Sequence, residues 1–74
     1  MTHEEFDARI ARFATRAEAE AAAAGLMLRR KRNRPRAQYV GAYDAWTVYA
    51  SPNTVLLTNG AMYDYQREVM WFAR

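Results

Sequence analysis

The chain has 74 residues, with eleven basic and eight acidic side chains and no cysteine. This length accommodates one domain spanning residues 1–74, and the absence of cysteine excludes disulfides and thiolate metal sites. With a single histidine, His3, we expect neither a metal nor another cofactor. Because a domain this small has a thin stability margin, we expect a homodimer to supplement its core.

No segment has the pattern of a targeting signal or a membrane span. The N-terminus is acidic and lacks an apolar signal region. The longest uncharged stretch, residues 45–63, is interrupted by polar turns and is too polar to cross a bilayer. The bias towards arginine and alanine is typical of GC-rich bacterial or phage genomes. We therefore expect no membrane partner and a cytoplasmic location in a bacterial host cell.

The first third of the chain predicts one long helix. Thr2 and Glu5 form a capping box, and Gly25 suits a helix end. Alanine and glutamate dominate residues 17–24, which favours helix. The residues expected on one face at helical spacing are Phe6, Ile10, Phe13, Ala17, Ala21 and Ala24.

An alternative helix start lies at Thr15. The segment Thr15-Arg16-Ala17-Glu18 is a second capping box. In that layout a short helix begins there and residues 5–13 form a strand. The segment from Phe13 to Glu20 then resembles the strand-then-helix half of an SPOR-type repeat.

From Leu26 onward the pattern is typical of strands. We predict strands over residues 37–43, 46–50, 54–58 and 61–65, which are rich in aromatic and β-branched side chains. Residues 44–45, 51–53 and 59–60 are predicted turns, and Asn59-Gly60 is the strongest hairpin signal. Residues 66–74 fit either a last strand or a short helix. The predicted fold is α+β, with one long N-terminal helix packed on an antiparallel sheet of four to five short strands.

Large apolar side chains are expected to form the core, since the fifteen alanines each bury little area. The segment Val69-Met70-Trp71-Phe72 is more apolar than a free terminus, so it either closes the sheet or forms a dimer contact. The predicted core residues are Phe6, Ile10, Phe13, Leu26, Leu28, Val40, Trp46, Val48, Val55, Leu57 and Trp71.

The densest chemical feature is a basic run at residues 29–36, which holds six positive charges and no acid. Guanidinium groups bind phosphate in bidentate fashion, and contacts with several phosphates give steep salt dependence. We interpret the run as a binding site for nucleic acid or for a protein that handles it. The plain alternative is a solvated turn that keeps a sheet edge soluble. Its cations are Arg29, Arg30, Lys31, Arg32, Arg34 and Arg36.

Three tyrosines are predicted to lie close to the basic run. Strand alternation would place Tyr39, Tyr43 and Tyr49 on one face of the sheet. There they could stack on bases, act as protein-binding residues, or simply pack across strands. The opposite face would carry the core set Val40, Ala42, Trp46 and Val48.

Nothing in the sequence indicates catalysis. The carboxylates of Glu4, Glu5 and Asp7 suit the positive end of a helix dipole, and Asp44 and Asp64 fall in or near turns. There is no nucleophile paired with a histidine and no glycine-rich phosphate loop. We therefore expect a protein that is not an enzyme.

The overall type resembles the anti-CRISPR proteins of phages, which are tiny, cysteine-poor, single-domain and catalytically inert. The segment Ser51-Pro52-Asn53-Thr54-Val55-Leu56-Leu57, with Asn59, is similar to a stretch in a small inhibitor of type I systems. The resemblance implies binding to a Cascade-type surveillance complex and blocking of DNA recruitment. The basic run departs from the acidic DNA mimics in this group.

Three classes of function remain open. The expectation we favour is a non-catalytic, anti-CRISPR-like inhibitor that acts on a nucleoprotein complex through a basic and aromatic surface. The second is a small protein that binds DNA or RNA directly. The third is a structural or assembly protein, such as a small phage component.

Overall fold

The computed structural model describes residues 1–26 and 34–72 and has an α+β fold. Its five strands form one antiparallel sheet, as the sequence predicts, and their order in the sheet is β1-β2-β3-β4-β5. Two short helices precede them. The elements are α1 (His3–Arg9), α2 (Arg16–Ala24), β1 (Arg36–Val40), β2 (Ala45–Ser51), β3 (Thr54–Leu56), β4 (Ala61–Asp64) and β5 (Val69–Phe72).

The strand predictions are largely confirmed. The Asn59-Gly60 turn joins β3 to β4, and Gly60 has the left-handed φ of 87° that glycine tolerates best. The ambiguous tail forms a strand, because β5 pairs with β4 from Asp64–Val69 to Ala61–Phe72. The strand predicted over residues 37–43 ends at Val40, since the chain turns there and Asp44 adopts a φ of 48°.

The predicted single long helix is wrong. Both capping boxes are used, because the Thr2 hydroxyl accepts from the Glu5 N–H and the Thr15 hydroxyl accepts from the Glu18 N–H. Between the helices, Ile10 has an extended backbone with ψ of 129°. The alternative start at Thr15 is therefore right, whereas its strand over residues 5–13 is wrong for the part that forms α1.

The segment between the helices leaves the helical conformation to pair with the sheet. The Ala11 N–H donates to the Leu56 carbonyl at 2.9 Å, and Phe13 exchanges two backbone hydrogen bonds of 2.8 Å with Trp46. These bonds satisfy backbone groups that a continuous helix would have satisfied internally. Residues 10–13 thus contribute isolated pairs to β2 and to the end of β3.

The sheet lies between the two helices. We call the face carrying Tyr49, Val55 and Tyr63 the α1 face, because Phe6 and Ile10 pack there with Val55, Leu57 and Tyr63. The other is the α2 face, where Ala19 and Ala23 pack with Val48, Ala50, Leu56 and Met62. Small alanine side chains let α2 approach closely. Ile10 and its neighbour Ala11 belong to opposite clusters, so the chain changes face at this point.

The core prediction is confirmed at Phe6, Ile10, Val48, Val55 and Leu57, which are buried. It is wrong at one tryptophan. Trp71 is 37% exposed because it lies on the edge strand β5, whereas α2 covers the β1 and β2 end of the same face. The predicted core residue Leu28 lies outside the described residues. Half-buried positions are Phe13, Leu26, Val40 and Trp46.

Candidate functional site

The basic run reaches the described part of the chain at its C-terminal end. Arg34 and Arg36 are both exposed, and Arg36 opens β1 opposite Tyr49 of β2. Because β1 is the first strand in the sheet order, these two cations lie at a sheet edge. We call Arg34, Arg36 and strand β1 the cationic edge. The other predicted binding cations, Arg29, Arg30, Lys31 and Arg32, lie outside the described residues.

The two arginines of the cationic edge are free of carboxylates among the described residues. Within residues 1–26 and 34–72, the ion pairs are Arg12–Asp7 at 3.6 Å and Arg16–Glu20 at 2.7 Å. Neither involves Arg34 or Arg36. Their guanidinium groups can therefore engage a phosphate or a partner's carboxylate without first breaking a described internal pair.

The predicted tyrosine face is wrong. The register places Tyr39 directly opposite Trp46, so Tyr39 lies on the α2 face. Tyr49 pairs with Val55 and lies on the α1 face. Tyr43 belongs to the turn after β1 rather than to the strand. The prediction placed Val40 on the same face as Trp46. The observed pairing differs by one residue along β1, because Val40 pairs with Ala45 and therefore lies on the other face.

Tyr43 fastens the turn after β1 to the first helix. Its hydroxyl donates a hydrogen bond to Asp7 Oδ1, and the Arg12 guanidinium lies 4.0 Å from its ring centroid. Arg12 also pairs with Asp7, so the three side chains form one cluster. The hydrogen bond to Asp7, followed by burial, raises the pKa of Tyr43 to about 12. Because its hydroxyl and one ring face are occupied, Tyr43 is a structural residue.

Tyr49 is half-buried beside the same cluster. Burial, followed by the charges of Tyr65 and Asp7, raises the pKa of its hydroxyl. Packing within the α1 face leaves Tyr49 little ring surface for stacking on a base. Of the three predicted tyrosines, Tyr39 alone is exposed, with 47% of its surface accessible.

A cation and two aromatic rings meet on the α2 face. The Tyr39 and Trp46 rings make an edge contact at 5.6 Å, and the Arg16 guanidinium lies 5.9 Å from the Trp46 ring. The Tyr39 hydroxyl donates to Asp44 at 2.6 Å, and this hydrogen bond raises the pKa of Tyr39. Sequence reasoning missed Arg16 here. The signal that could have found it is the second capping box, which places Arg16 at the start of α2.

The opposite edge of the sheet is apolar. All four residues of β5 are exposed, from Trp71 at 37% to Phe72 at 64%. Trp71 pairs with Met62 and lies on the α2 face, whereas Met70 pairs with Tyr63 and lies on the α1 face. Apolar side chains therefore project from both faces of β5. We call this strand the apolar edge.

Two surfaces thus stand out for binding, the cationic edge and the apolar edge. Among the described residues, no group of three or more histidine, aspartate or glutamate side chains could hold a metal ion. In the same part of the chain, no helix has the length and apolarity to cross a membrane.

Comparisons with protein-family models, with curated proteins and with solved structures find no match for this chain. The class that fold and surface define is a small α+β protein with contrasting sheet edges.

Proposed function

We propose that the chain is a non-catalytic, anti-CRISPR-like inhibitor that docks on a nucleoprotein complex of the Cascade type and blocks target DNA binding. The supporting observation is the cationic edge. Arg34 and Arg36 are exposed, take part in no described ion pair, and continue a run with four further cations. Such an edge fits the phosphates or acidic surfaces that a nucleoprotein complex presents.

The division of the tyrosines favours a protein-containing partner over free single strands. Single-strand binding proteins combine a cationic groove with aromatic rings on which successive bases stack. Here Tyr39 and Tyr49 lie on opposite faces of the sheet, and the Tyr43 ring lies under Arg12.

Direct binding to duplex nucleic acid is the second candidate. The same two arginines support it, because phosphate contacts need exposed cations and no stacking platform. In this case the isolated protein binds DNA or RNA without any complex. Binding by the isolated protein, and the weakening of that binding by salt, then separate the two candidates.

The test measures electrophoretic mobility of duplex and single-stranded DNA and RNA with the isolated protein at about 50 and 200 mM salt. Six or more phosphate contacts would weaken binding about 10³-fold over this range. The proposal expects no shift at the lower salt concentration. A shift that collapses at the higher concentration supports direct binding instead.

The companion assay measures target DNA binding by a purified Cascade-type complex. We expect the chain to inhibit it, and Arg30→Ala, Arg32→Ala and Arg34→Ala together to abolish inhibition while leaving the circular dichroism spectrum unchanged. Arg67→Ala is the control, because this exposed arginine lies in the turn before β5. Full inhibition by the triple variant, or none by the wild type, contradicts the proposal.

A further inference from the structure

We propose that the apolar edge is a self-association site, at which a second copy of the chain adds its own β5 antiparallel to form one continuous ten-stranded sheet. This inference does not depend on the proposed function. It concerns the other edge of the sheet and a partner of defined sequence.

The first argument is the open backbone of β5. Among the described residues, β5 pairs with β4 alone, so its outer side presents free N–H and C=O groups. Proteins protect such edges with charged residues, prolines or bulges. The segment Val69–Phe72 contains none of these, since its residues are valine, methionine, tryptophan and phenylalanine.

The second argument is charge, which selects between the two edges. Arg34 and Arg36 stand at the cationic edge, where a second copy would bring like charges together. Like charges directly opposite each other destabilise a strand pair. The apolar edge carries no charge within the strand, so two paired copies set no like charges directly opposite each other across Val69–Phe72.

The third argument is the apolar area available. The four side chains are 49%, 46%, 37% and 64% exposed in chain order. Covering most of that surface buries roughly 300–400 Å² per protomer, given the size of aromatic and aliphatic side chains. The area buried on both protomers together, about 600–800 Å², falls below the ~1,200 Å² of standard stable interfaces. We therefore expect a dimer that dissociates in the micromolar range, with Kd of about 1–100 μM.

Symmetry restricts the register of this pairing. Side-by-side antiparallel strands are related by a two-fold axis perpendicular to the sheet, which keeps each face on its own side. Residues directly opposite each other must then lie on the same face of the sheet. The axis therefore runs midway between the two copies of one residue, and that residue lies opposite itself. An axis at Trp71 places the two Trp71 side chains opposite each other on the α2 face. It also places Met70 of each copy opposite Phe72 of the other.

The side chains favour the Trp71 axis over an axis at Met70. The Trp71 axis brings a thioether against a phenyl ring, which is a favourable contact. An axis at Met70 would instead set Glu68 opposite Phe72 and bury a carboxylate against that ring. Glu68 lies in the turn before β5, where it stays solvated in the preferred register.

The dimer has a consequence for the rest of the molecule. Ten strands at the usual spacing place the two outer β1 strands about 43 Å apart. Each outer strand carries its own Arg34 and Arg36. The pair can therefore engage two anionic surfaces at once, which raises avidity without any new contact.

Sedimentation velocity of the purified chain from about 1 μM to 1 mM tests the association. We expect the mass to rise from monomer to dimer and to stop there. Met70→Lys should raise the dissociation constant at least tenfold. Gln38→Lys is the matched control, because Gln38 is also exposed on the α1 face but lies on β1. Its dissociation constant should stay within about twofold of the wild-type value.

Cysteine crosslinking tests the register, since the chain has no native cysteine. Trp71→Cys should form a disulfide with its own copy under mild oxidation, because opposite Cα atoms lie about 5 Å apart. Met70→Cys alone should not, since its two Cα atoms would be about 8 Å apart. An equimolar mixture of Met70→Cys and Phe72→Cys should crosslink as a mixed pair.

Several results would overturn the proposal. The wild-type chain could remain a monomer at 1 mM, which excludes the site without needing any variant. Association unchanged by Met70→Lys would place the interface elsewhere. Crosslinking of Met70→Cys with itself, without crosslinking of Trp71→Cys, would contradict the proposed register.

Discussion

The sheet ends in two edge strands, about 19 Å apart across five strands, that carry opposite chemistry. β1 begins at Arg36, two residues after Arg34, and both side chains are exposed. β5 is uncharged and exposes all four apolar side chains. One small sheet therefore carries charge at one edge and an exposed apolar surface at the other, and the proposed pairing of two copies rests on this difference.

The edges also differ in how they are attached to the body. β1 packs under α2, its Tyr39 contacts Trp46, and the turn that follows is fastened through Tyr43 to Asp7. β5 pairs with β4, and its side chains remain exposed. Elements with few buried contacts open at lower free energy. We therefore expect β5 to be the locally less stable edge in the monomer.

The largest expected effect tests whether β5 belongs to the core. Leu57→Ala should lower the free energy of unfolding by about 2–5 kcal/mol, because Leu57 is 1% exposed and its removal leaves a cavity. Phe72→Ala should change it by about 0.5 kcal/mol or less, as at other surface positions. Urea denaturation at low micromolar protein measures both. Equal losses would break the contrast between sheet centre and apolar edge.

The next effect tests the attachment of β1. Asp7 raises the pKa of Tyr43 to about 12, so the unfolded chain ionises this tyrosine near pH 10 while the folded chain holds the proton. The resulting stability is complete below pH 10 and is lost between pH 10 and about 12. Allowing for solvent screening, it amounts to about 1 kcal/mol.

Asp7→Asn should bring the pKa of Tyr43 back towards 10 and reduce the loss of stability in that window. Ultraviolet titration of the phenolate absorbance and denaturation at several pH values measure these two results. Glu4→Gln is the control, because Glu4 is an exposed carboxylate on the same helix as Asp7 and has no described hydrogen bond to a tyrosine. An unchanged titration curve in Asp7→Asn would show that the turn is fastened in another way.

The smallest expected effect tests whether positive charge on β1 prevents a second copy from pairing with that strand. Arg36→Val with Gln38→Val makes the cationic edge more similar to the apolar edge. We expect weak growth beyond the dimer at about 1 mM, with less than a twofold rise in average mass, because Arg34 still repels a second copy. Sedimentation equilibrium measures it. Arg36→Lys with Gln38→Lys keeps the charge at position 36 and adds one at position 38, and growth of that variant would point to another cause.

Local signals in the sequence predicted most of the sheet. Asn59-Gly60 fixed a hairpin because its backbone preferences match the turn, and apolar alternation marked the strands around it. The prediction of one long helix failed because the spacing of Phe6, Ile10 and Phe13 does not require a single helix. In the structure Phe6 and Ile10 pack in one cluster and Phe13 packs against the other. Tertiary pairing of Phe13 with Trp46 outweighed helix propensity there.

The candidate site was predictable in composition but only partly in geometry. Charge density marked the basic run, whose described members Arg34 and Arg36 lie exposed at a sheet edge. The prediction of a shared tyrosine face failed because alternation shows which residues of one strand lie on the same face. It does not show how that strand is aligned with its neighbour. A one-residue shift in register moves a side chain to the other face, as happened to Tyr39.

The sequence by itself determined the α+β class, the hairpin at Asn59-Gly60 and the cationic character of one segment, because these depend on neighbouring residues. Tertiary structure alone decided which strands became edges and which tyrosines faced which helix. It also left Trp71 and Phe72 exposed rather than buried. The physical reason is that burial depends on what packs above a residue, and in this chain the helices cover the middle of the sheet and the β1 side.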